Sequence, residues 1–109
     1  MTGTPCHAAC WRGHPDAIAV LLEHGADPNL ADVHGVTPCM IAAKYNGSVP
    51  ILHALVAGGP GGALAGDAVN AVDGEYGRTA LDNALANRNH AEFAAVLRDE
   101  LGGKRAADL

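Results

Sequence analysis

Aromatic residues are nearly missing from this chain of 109: Trp11, Tyr45, Tyr76 and Phe93 are all it has, 4% of the total. A core must then be built from Ala, Val, Leu and Ile, and small side chains favour helices that pack closely. Basic residues are also scarce, seven Lys and Arg against twelve Asp and Glu, for a net charge of −5 with His neutral. That balance argues against a nucleic-acid or anionic-membrane footprint for the chain as a whole. No apolar run approaches the length of a membrane span, and no charged-then-apolar leader opens the chain. The expected setting is the cytoplasm or nucleus. Three cysteines, an odd count, suit reduced thiols better than a disulfide frame. The Asn46-Gly47-Ser48 sequon carries no weight without a secretory route.

What is present is a period. Thr4-Pro5-Cys6 recurs as Thr37-Pro38-Cys39 after 33 residues, and Thr79-Ala80-Leu81 is a third, looser copy. Thr before Pro is a helix start: the hydroxyl caps a free N–H, and Pro at the first helical position loses no hydrogen bond. Gly13 and Gly47 stand where a short first helix must stop and turn. Ile18, Leu21 and Leu22, with Val20 at the edge, recur at helical spacing in a second helix that Gly25 ends. Asp27-Pro28-Asn29 opens the loop to the next copy. Each copy is a helix–turn–helix that cannot bury its apolar face alone, so neighbours must stack.

The copies TPCHAACWRGHPDAIAVLLEHGADPN, DVHGVTPCMIAAKYNG and DGEYGRTALDNALANRNHAEFAAVL together resemble the ankyrin repeat. The Thr-Pro, Gly-His and Gly-Ala-Asp signatures agree in spacing over nearly the whole chain. The resemblance implies an all-α, ankyrin-type solenoid of stacked helix–turn–helix repeats with projecting loops. One domain, 1–109, would hold repeats at about 1–31, 32–71 and 72–103 and a polar tail at 104–109. The first repeat lacks its leading loop, and the chain is expected to be a monomer or part of a longer array.

Thr37 to Thr79 spans 42 residues, nine more than the first period. One extra residue lies in AAKYNG, seven lie between Gly59 and Asn70, and one lies in DGEYG. Within the insertion GGPGGALAGDAV (58–69), Gly61 and Gly66 have the spacing of a phosphate loop, but Asp67 stands where Lys is required and no strand precedes it. A flexible inter-repeat loop is expected there.

Cys6, His7 and Cys10 in the first helix invite a metal or redox-thiol reading, the alternative to a binding module. A zinc site needs four converging ligands, commonly from Cys-x-x-Cys pairs; here the gap is three residues and no second pair exists. Cys6 and Cys39, one repeat apart, should lie about 10 Å from each other, too far for a disulfide. Packing is the expected role of the thiols. No paired acid and base, nucleophile elbow or phosphate loop marks an enzyme, and no cofactor is expected. By the resemblance, His7 should bond the backbone near the neighbouring Thr-Pro turn, a bond that Met40 and Asp82 cannot repeat as the family makes it. His14, His24, His34, His53 and His90 are expected to be mostly exposed or capping. LLEHGADPN, with Leu21 and Asn29, is similar to the context in which asparaginyl hydroxylases modify such repeats.

The resemblance also places variable contacts on a concave face. It assigns Trp11 and Arg12 from the first repeat, Val33, His34, Val36, Lys44 and Tyr45 from the second, and Glu75, Tyr76, Arg78, Asn87 and Arg88 from the third. Three of the four aromatics and four of the seven basic residues fall on that face. Aromatic plus Arg is the composition of binding hot spots. The function implied is a non-enzymatic protein–protein interaction module whose partner is a protein or peptide with acidic and apolar residues, not nucleic acid or membrane.

Overall fold

The computed structural model describes residues 3–109. Its helices form two rows. The inner row is α1 (Pro5–Arg12), α3 (Pro38–Ile41) and α6 (Ala80–Leu85); the outer row is α2 (Pro15–Glu23), α4 (Val49–Ala57) and α7 (Ala91–Asp99). A single turn, α5 (Gly66–Val69), lies in the insertion. Along the inner row α1 packs on α3 and α3 on α6; along the outer row α2 packs on α4 and α4 on α7. Each repeat therefore contacts its sequence neighbour in both rows, which is the stacking the period demands.

The starts follow the sequence. Thr4, Thr37 and Thr79 are extended N-cap residues whose hydroxyls accept from the N–H of His7, Met40 and Asp82. Pro5 and Pro38 open two of the helices. The scarcity of aromatics is explained by the inner row, where Ala9, Cys10, Ala42, Ala43, Ala80 and Ala84 are buried. Side chains of that size let the three short helices approach closely. The outer row supplies the bulk: Ile18, Leu22, Ile51, Leu52, Leu55, Phe93 and Leu97 are fully buried.

Two insertions take forms that composition did not reveal. The extra residue of AAKYNG becomes a π-helical turn, Ala42–Asn46. Gly13 N–H donates to Ala9 O, four residues back, at 3.0 Å, whereas Gly47 N–H donates to Ala42 O, five back, at 2.8 Å. The wider turn absorbs the added residue without breaking the stack.

The second departure is a correction. The insertion 58–69 is not a loose linker but is docked on the first repeat. A Cβ at Gly59 would collide with Leu22 O, and one at Gly61 with Gly25 O, so glycine here serves close approach to the end of α2 rather than flexibility. Asn29 clamps the loop: its amide donates to Ala63 O at 2.8 Å and accepts from Ala65 N–H at 2.9 Å. Asn70 does the same one repeat later, donating to Gly102 O and accepting from Lys104 N–H. The polar tail is likewise held, by Thr79 Oγ1 donating to Lys104 O at 2.7 Å and Ala106 N–H donating to Asp82 at 2.9 Å.

Candidate functional site

The π-turn sets the geometry of the site. It leaves Lys44 and Tyr45 exposed, while Asn46 reaches back and its amide donates to the carbonyls of Cys10 and Trp11, at 2.6 Å for the latter. One insertion thus caps the first repeat and presents two side chains beside the third. Lys44 Nζ lies 5.4 Å from the Tyr45 ring centroid and 5.9 Å from that of Tyr76. The Arg78 guanidinium lies 5.5 Å from the same Tyr76 ring. Tyr76 is therefore flanked by cations from two successive repeats, within cation–π range.

Lys44, Tyr45 and Tyr76 rim a groove of about 150 Å³ whose lining includes Val36, Met40 and Ile41. Met40 and Ile41, buried at the end of α3, directly precede the π-turn that carries Lys44 and Tyr45. Asp73, Glu75 and Asn83 complete the third-repeat side. Asp73 is an organiser of the wall: its carboxylate accepts the N–H groups of Glu75, Tyr76 and Arg78. Burial pushes its carboxyl up, but those N–H bonds, led by Tyr76 and Arg78, outweigh it and hold the group below the usual carboxylate range. Asp32 holds the preceding loop in the same way, through the N–H groups of His34 and Val36. The two loops are tied together where Gly74 N–H donates to His34 O at 2.7 Å, and His34 Nδ1 pairs with Glu75 at 3.1 Å.

Of the twelve residues expected on the contact face, Val36, Lys44, Tyr45, Glu75 and Tyr76 line this one groove. Arg78 and His34 join it through Tyr76 and Glu75. Trp11, 47% exposed, and Arg12 stand at the end of α1, and Val33 projects from its loop, 82% exposed. Arg88 is exposed, whereas Asn87 is half-buried and spent on capping: its carbonyl oxygen accepts from Asn89 N–H and its amide lies 3.4 Å from His90 Nε2. Met40, Ile41, Asp73 and Asn83 were missed as lining residues; their place directly before AAKYNG was the signal for the first two.

The histidines divide. Val36 O can only accept, so the 2.7 Å bond to His7 Nε2 fixes the proton there and leaves Nδ1 to accept from Thr4 N–H at 3.1 Å. The bond from His7 toward the next Thr-Pro turn is as the sequence led one to expect. In the third repeat Asp82 substitutes a carboxylate, accepting from Thr79 and Ala106 N–H. Of the scattered histidines, His14, His24, His34 and His53 are exposed as expected, and His90 is the exception: it is buried, its Nδ1–H donates to Ala43 O at 2.7 Å, and its ring fills the space beside Gly47 that a Cβ would need.

The thiols of Cys6, Cys10 and Cys39 are buried and free. Burial pushes the Cys39 thiol up to about 12; burial, then the neighbouring Cys6 and Cys39, raises Cys10 further, and burial followed by Asp27 raises Cys6. A protonated thiol is neither a good nucleophile nor a metal ligand. Among the described residues no three His, Cys, Asp or Glu side chains are grouped to hold a metal ion.

Two rows of short helices, stacked copy on copy with a groove crossing a repeat boundary, define a helical repeat solenoid. The chain belongs to the ankyrin repeat family: the family model described as ankyrin repeats (3 copies) matches residues 6–106. Over 91 residues the chain is 36% identical to human Ankyrin repeat and SOCS box protein 6, covering 83% of this chain and 20% of that protein. It is 45% identical over 53 residues to the BTB/POZ domain and ankyrin repeat-containing protein NOOT1 of Medicago truncatula, covering 43% of this chain and 11% of that one. A 43% identity over 53 residues relates it to Regulatory protein NPR5 of Arabidopsis thaliana, with the same 43% of this chain and 11% of that protein covered. The chain spans a fifth or less of the length of these relatives. Ankyrin repeats are protein–protein interaction modules, and the family is generally non-enzymatic. No helix among the described residues is long and apolar enough to cross a membrane.

Proposed function

We propose that this chain is a non-enzymatic interaction module that binds a partner protein or peptide through the concave face running from Trp11 and Arg12 to Arg78 and Arg88. The observation that carries the reading is the Lys44–Tyr45–Tyr76–Arg78 cluster. In a chain with four aromatic residues, two of them are exposed together at one repeat boundary and overlaid by two cations. Exposed aromatic area and guanidinium donors are what protein interfaces use at their energetic centres. The partner would carry acidic and apolar residues, complementing a basic face on an acidic protein.

The test is selection of random twelve-residue peptides on the purified chain. Enrichment of acidic and apolar residues is the expected result. The triple variant Trp11→Ala, Tyr45→Ala, Arg78→Ala should lose the selected peptides while its helical signal and melting midpoint stay unchanged. Undiminished binding by that variant would remove the concave face from consideration.

A further inference from the structure

The groove between the second and third repeats has a size and a charge arrangement that narrow its ligand further. Its second-repeat side is apolar, with Met40 and Ile41 buried and Val36 half-buried beside them, while buried Asp73 and Asn83 face it from the third repeat. A volume of about 150 Å³ is that of an apolar cavity able to take a molecule as large as benzene. The space therefore suits one side chain rather than a helix or a cofactor.

The rim carries charges of both signs, but they are not equally available. Asp73 has its carboxylate turned into its own loop, accepting the N–H groups of Glu75, Tyr76 and Arg78. Glu75 has one carboxylate oxygen against His34 Nδ1, at 3.1 Å. Lys44 and Arg78 face tyrosine rings and, among the described residues, form no ion pair. Tyr76 has both cations within cation–π range and Tyr45 has Lys44. The hydrogen-bonding positions left open at the rim are therefore those of the cations, beside an apolar wall of single-side-chain size.

We propose that this groove is the anchoring subsite of the module: it seats one apolar side chain of the partner over Met40 and Ile41 and takes a neighbouring carboxylate at Lys44, with Arg78 beside Tyr76 adding positive charge. The proposal rests on the interaction-module reading and assigns to this one subsite the recognition of an apolar residue adjacent to an acidic one. A carboxylate at Lys44 gains a charge-assisted hydrogen bond without displacing any existing ion pair of that lysine. The side chain beside it removes apolar area from water at a site already shielded by two rings.

The experiment titrates the whole chain with 3-phenylpropanoate, with its neutral amide and with 3-phenylpropan-1-amine, following the methyl resonances of Met40 and Ile41 and the ring resonances of Tyr45 and Tyr76. The carboxylate should shift these four residues saturably, with a dissociation constant on the order of millimolar, as its few heavy atoms allow. The amide should bind about two- to fivefold more weakly and the amine more weakly still, the scale of exposed charge effects. Lys44→Met with Arg78→Met should erase the preference for carboxylate over amide while leaving amide binding in place. Glu75→Gln should tighten carboxylate binding, and Val36→Trp, which fills the groove, should abolish binding of all three probes. Equal or tighter binding of the amine would overturn the proposal in favour of a site for cations, and shifts confined to other residues, or none, would overturn it outright. Peptide selection that succeeds while the probes fail to shift the groove would sink this subsite alone. Probes that bind the groove while no peptide is selected would sink the module reading instead.

Discussion

At the scale of single residues, Asn29 and the buried His90 each tie together segments far apart in the chain. Asn29 uses both ends of its amide to hold the insertion against the first repeat. Its replacement by Ala releases the exposed Ala65 N–H and Ala63 O to water, at about 0.5–1.5 kcal/mol of global stability. The sharper readout is local: amide exchange at Ala65 and at Leu64, whose N–H donates to Leu55 O, should accelerate well beyond exchange in α4. Uniform acceleration across both would mean that the clamp is not local. His90 bridges the π-turn and α7 through Ala43 O. His90→Ala removes a buried ring and a hydrogen bond together, so a loss of about 2–4 kcal/mol is expected from urea unfolding. An exposed His53→Ala change should cost less than about 0.5 kcal/mol in the same assay.

At the scale of elements, the helix starts and the repeat order were legible because their causes are local. Thr-Pro caps and turn glycines act within four residues of themselves, so a sequence carries them openly. The π-turn was visible only as one surplus residue in AAKYNG; its form depends on keeping the flanking inner-row alanines in register with their neighbours. The insertion was misread for a related reason. Glycine serves both flexible linkers and close backbone approach, and only the position of α2 beneath Gly59 decides between them. At the groove, the rim residues were found from the repeat's register, while Met40 and Ile41 were passed over because their apolar side chains read as core. Electrostatics, by contrast, hold the projecting loops at Asp32 and Asp73 and the start of α6 at Asp82. Asp32, Asp73 and Asp82 are each raised by burial and lowered further by backbone N–H bonds, and Thr79 Oγ1 and Arg105 add to the lowering at Asp82. With folded values below the unfolded value of about 3.9, these carboxyls stabilise the fold fully above that pH. Their contribution is lost as the pH falls through the folded values. Unfolding free energy should therefore drop steeply below about pH 4. Asp73→Asn should lower stability at pH 6 and flatten that acid limb; a variant with an unchanged acid limb would show that Asp73 is not among the groups responsible.

At the scale of the whole molecule, the two rows make the second repeat the bridge. The first repeat touches the second through α1 on α3 and α2 on α4, and the third touches it through α3 on α6 and α4 on α7. In such a stack, stability is a sum of repeat terms and nearest-neighbour interfaces. Loss of an end repeat breaks one interface, whereas loss of the middle one breaks two. Leu22 in α2 and Leu55 in α4 are both fully buried leucines on the outer row, so truncating either to Ala costs a similar amount locally, about 2–5 kcal/mol. Their consequences should differ in kind. Leu22→Ala is expected to let the first repeat open alone, with fast amide exchange over α1 and α2 while α6 and α7 stay protected. The docked insertion should loosen with it, since Gly59 and Gly61 rest on the end of α2. Leu55→Ala should instead lower protection in all three repeats together and keep one cooperative urea transition at a reduced midpoint. The exchange pattern of the two variants, measured side by side, separates a stack coupled through its middle from a single indivisible core: identical, chain-wide loss of protection in both would show that the coupling is not limited to neighbours.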